Sequence, residues 1–168
     1  MQGTGCAGRS FFRREAGLTL IELLVTVTII AILASVVMPL ARTTVKRSKE
    51  AELRESLRGM RNAIDAYKQA WDDGKIKKNI GDSGYPPSLD ALVEGVEDVT
   101  SPKSAKLRFL RRIPRDPMNP DEGLGPKDTW GLRSYASEPD EPQEGDDVFD
   151  VFSKSENSAL DGTKYRDW

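Results

Sequence analysis

Glu22 is the only charged side chain between Leu18 and Ala41, and it closes the run Gly17-Leu18-Thr19-Leu20-Ile21-Glu22. A carboxylate inside an apolar stretch must find a cation or stay near the edge of the stretch. At bilayer depth it costs about 2.5–3.5 kcal/mol on insertion scales unless a partner answers it. The rest of the chain offers little conventional reaction chemistry. There is no histidine, which removes the commonest general base and the commonest metal ligand. The single cysteine, Cys6, lies before the apolar run, and one thiol makes no disulfide framework or zinc site within one chain. Residues Met1–Gly5 lack the apolar segment that precedes a lipid-modified cysteine. Acidic residues are plentiful, 27 against 25 basic ones, but they read as a solvated surface, so an enzyme working through paired carboxylates ranks last. No glycine loop of the phosphate-cradling kind is present. A net charge of −2 without a concentrated basic footprint argues against nucleic acid as the main partner.

The elements around Glu22 are legible from hydropathy and charge. Residues 1–17 form a polar leader with Arg9, Arg13 and Arg14 against Glu15, the pattern of a segment kept on the cytoplasmic side of a membrane. After Glu22 come 19 consecutive uncharged residues, close to the ~20 that span a bilayer core as a helix. A secretory signal fits poorly, because Glu22 charges its apolar region and Pro39 occupies the minus-three position of a cut after Ala41. A plain membrane anchor fits but leaves Glu22 without a role. Beyond Arg42, Leu53, Leu57, Met60, Ile64, Tyr67 and Trp71 recur at spacings of three and four, one stripe of an amphipathic helix. The pattern predicts one helix from about Leu18 to about Asp72, interrupted or bent near Pro39, whose ring removes a backbone donor.

After Gly74 the texture changes to turns and short apolar pieces. Ser88-Leu89-Asp90-Ala91-Leu92-Val93 predicts a short helix capped by Ser88. Ile113 to Trp130 is rich in proline and reads as loop. Strands are expected over Leu132–Ala136 and Val148–Phe152. Tyr165 and Trp168 predict a C-terminal segment packed down on the domain. There is no internal repeat. The fold class is α+β: a long N-terminal helix, apolar in its first half and amphipathic in its second, packed on a small C-terminal antiparallel β-sheet domain.

The run from Gly17 to Leu24 resembles the processing site of type IV pilins and pseudopilins, with Leu18 where that family usually has phenylalanine. The resemblance implies that a prepilin peptidase cuts between Gly17 and Leu18 and methylates the new N-terminus. Such a cut creates an amine, with an unperturbed pKa of about 8. Placed on one subunit against Glu22 of another, it would offset both buried charges and set the stagger between tails. Further along, Tyr85-Pro86-Pro87-Ser88-Leu89-Asp90-Ala91-Leu92, Ile113-Pro114-Arg115-Asp116-Pro117, Trp130-Gly131 with Ser134-Tyr135, and Val151-Phe152-Ser153 are similar, in order, to the major pseudopilins of the G type from type II secretion systems. The absence of any cysteine after Cys6 agrees with that group, which lacks the C-terminal disulfide of pilus subunits.

The resemblance implies a pilin-like fold with a leader over 1–17, a transmembrane and assembly helix over 18–41 and a periplasmic domain over 42–168. It implies a homopolymer in contact with other pseudopilins and the inner-membrane platform of the secretion machine, held by a single pass in the bacterial inner membrane. The alternative it leaves is a type IV pilus subunit serving adhesion, motility or DNA uptake. The family often binds calcium in its C-terminal loop, where this chain offers Ser155, Asn157, Asp161 and Asp167; the competing reading of Asp161-Gly162 is a plain turn. Arg42 to Trp71 carries eight basic against four acidic residues, and Ala136 to Trp168 ten acidic against three basic. That complementarity suggests contact between the acidic region of one subunit and the basic helix of its neighbour.

Overall fold

The computed structural model describes residue 17, residues 19–102 and residues 105–168, without the side chains of 36–41. The leader, apart from Gly17, therefore lies outside the described residues, as does Leu18. By its internal contacts the chain divides into two units, Met1–Arg42 and Thr43–Trp168.

Helix α1 (Leu20–Asp72) belongs to both units. It runs unbroken through position 39, so of the expected interruption or bend near Pro39 the interruption is absent. In the first unit every described side chain from Leu20 to Ser35 is exposed. In the second unit the predicted stripe is the core face: Leu53, Leu57, Met60, Ile64 and Tyr67 are buried. Trp71, at the end of the stripe, is half-buried against that core, with Lys68 Nζ 4.8 Å and Lys78 Nζ 4.3 Å from its ring.

Against this face pack α2 (Leu89–Glu94) and two small antiparallel sheets. Ser88 holds the extended backbone of an N-cap, yet its side chain makes no capping bond. Strands β1 (Val96–Glu97) and β2 (Lys106–Leu107) form a two-residue ladder that the sequence pattern does not reveal. Strands β3 (Trp130–Arg133) and β4 (Asp150–Ser153) pair with Trp130 opposite Ser153 and Arg133 opposite Asp150. Both begin two residues away from their expected starts. The reason at β3 is Gly131: a Cβ there would lie 2.3 Å from the Phe152 ring, so the ring of β4 covers the glycine and holds it in the ladder. At its far end β3 yields to a turn, where Asp147 Oδ1 accepts bonds from Ser134 Oγ and the Tyr135 amide.

The four downstream motifs converge. Trp130, fully buried, donates its indole N–H to the Pro114 carbonyl at 2.8 Å. Asp116, with no exposed surface, accepts from Ser153 Oγ at 2.6 Å and from the Met118 amide at 2.7 Å. The Val148 amide donates to the Pro86 carbonyl. Tyr85 meets Phe149 edge-on at 4.9 Å. Segments far apart in sequence thus form one polar and aromatic seam beneath the sheet.

Candidate functional site

The N-terminal site begins at a helix cap. Thr19 Oγ1 accepts the Glu22 amide at 3.2 Å, and the Thr19 carbonyl accepts the Leu23 amide at 3.1 Å. Thr19 is therefore the N-cap and Glu22 the third helical residue, the spacing of a capping box. The reading of the motif passed over Thr19, although Thr-x-x-Glu was visible in it. Glu22 also gains from the first-turn position, where the helix dipole favours negative charge. Its carboxylate, however, makes none of the described hydrogen bonds or ion pairs and is exposed. Gly17 is exposed, and a Cβ built on it would meet nothing within 4 Å among the described residues.

The helix behind this cap exposes apolar side chains along its described length. Leu20 is 81% exposed, and Ile30 and Leu33 are more than half exposed. Its hydroxyls turn inward: Thr26 Oγ1 donates to the Leu23 carbonyl, Thr28 Oγ1 to Leu24 and Ser35 Oγ to Ile32. Backbone acceptors thus satisfy the few polar groups, as a helix shielded from water requires. Among the described residues no helix is long and apolar enough to cross a membrane. The span expected over 18–41 runs past the described side chains at 18 and 36–41.

The C-terminal candidate site is a small hairpin in the second unit. Ser158 and Lys164 form a bridge, and Gly162, at φ +90°, turns the chain between them in a conformation that favours glycine. Of the four candidate calcium ligands, Ser155 Oγ accepts from the amide and the side chain of Asn157. Asp161 Oδ1 accepts from the Thr163 amide at 3.0 Å and hydroxyl at 2.6 Å. Those bonds, with Arg54 contributing, hold the Asp161 carboxyl below the usual range. Asp167 lies in the 3-10 turn Tyr165–Asp167. Among the described residues no three Asp, Glu, His or Cys side chains group as a metal site.

Sequence reasoning missed what faces this hairpin from α1. Lys46, Glu50, Arg54 and Arg61 fall at intervals of four, four and seven, on one side of the helix. Glu50, 5% exposed, accepts through Oε1 from the Leu160 amide and from Tyr165 Oη, both at 2.9 Å. Burial and that bond push the Tyr165 phenol up to about 12. Arg61 donates to Asp150 Oδ1 at 2.7 Å and to the main-chain oxygens of Val151 and Trp168. The basic helix and the acidic region therefore meet within one chain.

The family model for the prokaryotic N-terminal methylation motif matches residues 12–38. The chain is 30% identical over 119 residues to type II secretion system core protein G of Aeromonas hydrophila, covering 68% of this chain and 76% of the relative. It is 29% identical over 120 residues to the protein of that name from Vibrio cholerae, covering 69% and 75%. It is 29% identical over 140 residues to the one from Pseudomonas aeruginosa, covering 80% and 91%. No solved structure matches the chain significantly.

Proposed function

The chain belongs to the type II secretion system core protein G family, and from that premise we propose that it works as the major pseudopilin, polymerising into the periplasmic pseudopilus that drives protein export. The observation that carries this reading is the stretch Leu20–Ser35: apolar on every side, its hydroxyls internally bonded, its only charge a carboxylate with no described partner. Such a helix buries its surface first in lipid and then among copies of itself. Prepilin peptidase cuts after Gly17 and methylates Leu18, whose amine then meets Glu22 of a neighbouring subunit. The first unit anchors the subunit in the inner membrane by a single pass, and the second stands in the periplasm, in contact with the other pseudopilins and the membrane platform. The function is mechanical, and its residues bind and position without making or breaking bonds.

Deletion of the chain from its own cell tests this. Folded export substrates should accumulate in the periplasm, and the wild-type chain should restore their release. Undiminished export, with surface pili lost instead, would show a type IV pilus subunit.

A further inference from the structure

We propose that segment 155–168 is locked by side chains of α1 and takes no divalent cation. A hard cation collects six to eight oxygens, from carboxylates and from main-chain carbonyls of a loop. In this chain three oxygens of the segment already face organic cations. Lys46 Nζ donates to the Ser158 carbonyl at 2.7 Å. Arg54 Nη2 stands 3.8 Å from Asp161 Oδ2, with its guanidinium 4.0 Å above the centre of the Trp168 ring. Arg61 Nη2 takes the Trp168 main-chain oxygen at 2.7 Å. Glu50 supplies the one buried acceptor, to the Leu160 amide and Tyr165 Oη.

Two of the four candidate ligands already accept bonds from within the segment. Ser155 Oγ serves Asn157, and Asp161 Oδ1 serves Thr163. A dication at Asp161 would also meet the Arg54 guanidinium, and like charges at that distance repel. Asp167 and the side-chain oxygen of Asn157 are left, and one carboxylate with one amide oxygen does not make a cage of six to eight oxygens. The donor set therefore does not fit calcium. What a cation would do for the loop, neutralising a carboxylate and gathering carbonyls, is done by Lys46, Arg54 and Arg61. Trp168 packs edge-on to Tyr165 at 5.1 Å, so these α1 side chains hold the aromatic end of the chain as well as the turn.

The full-length protein in detergent gives two tests. First, thermal unfolding of the wild type is compared in excess EGTA and in millimolar calcium chloride. The expected difference is below about 1 °C; a ligand saturating a native site would raise Tm by more than about 5 °C. Second, amide hydrogen exchange is followed at Leu160 and Tyr165 in Arg54→Gln and in Glu50→Ala. Exchange there should speed up at least about tenfold in both variants and in either buffer, while the amides of Leu57 and Met60 keep their protection. A calcium-dependent rise in Tm, or calcium-slowed exchange across 158–166, overturns the proposal. So does unchanged exchange at Leu160 and Tyr165 in both variants. The wild-type comparison needs no variant to fold, and neither test depends on filament formation.

Discussion

Subunits carrying Glu22→Gln or Glu22→Ala are expected to reach the membrane at wild-type levels and to yield roughly a hundredfold fewer filaments. The magnitude follows from the cost of a charge left unpaired at bilayer depth, about 2.5–3.5 kcal/mol, at 1.4 kcal/mol per factor of ten. In the proposed assembly that charge is answered by the amine at Leu18 of a neighbour, and either substitution would leave the amine alone in an apolar bundle. The glutamine variant separates two roles for this position. Thr19 caps the helix through the Glu22 amide, which any residue supplies, and glutamine serves as well as glutamate at the third position of a capping box. If Glu22 acted only as part of the cap, Glu22→Gln would assemble normally. Electron microscopy of sheared filaments, with immunoblots of the membrane fraction, reads both quantities. Normal filament yield from the glutamine variant would refute the pairing.

The second large effect is expected at Asp116, where alanine should destabilise the second unit by about 3–5 kcal/mol. Asp116 is fully buried and joins the proline-rich segment to β4 through Ser153 and to its own turn through the Met118 amide. Hydrogen bonds to a charged group contribute about 1.5–3 kcal/mol each, and a buried donor left without its acceptor adds desolvation cost. Ser153 Oγ also accepts the Ser155 amide, so the loss spreads into the start of the locked segment. Asp116→Asn keeps the shape and one acceptor oxygen and should cost about half as much. Urea denaturation of both variants measures this; a loss below about 1 kcal/mol for alanine would remove Asp116 from the centre of the seam.

The helical parts of the molecule were legible because their signals are periodic. Leu53 to Tyr67 recur at helical spacing, and the same residues are the buried face of α1. The described part of the uncharged run after Glu22, residues 23–35, is exposed on all sides in the first unit, which its composition implied. Strand ends were less legible, because a glycine after a tryptophan reads as a break until the Phe152 ring is seen covering it. The two-residue ladder of β1 and β2 is too short to show any alternation. Asp116 reads as one acid among prolines, since nothing local announces that it is buried. Charge counts showed that the helix neck and the C-terminal region are complementary but could not show whether they meet within a chain or between chains. Arg54 with Asp161, and Arg61 with Asp150, meet within one chain.

The most direct test of the account is the intact mass of the protein purified from its own membranes. The account predicts a chain that begins at Leu18 and carries one added methyl group, the product of cleavage after Gly17. A chain that retains residues 1–17, or one cut beyond Ala41, would contradict it, for neither places an amine where Glu22 can answer it.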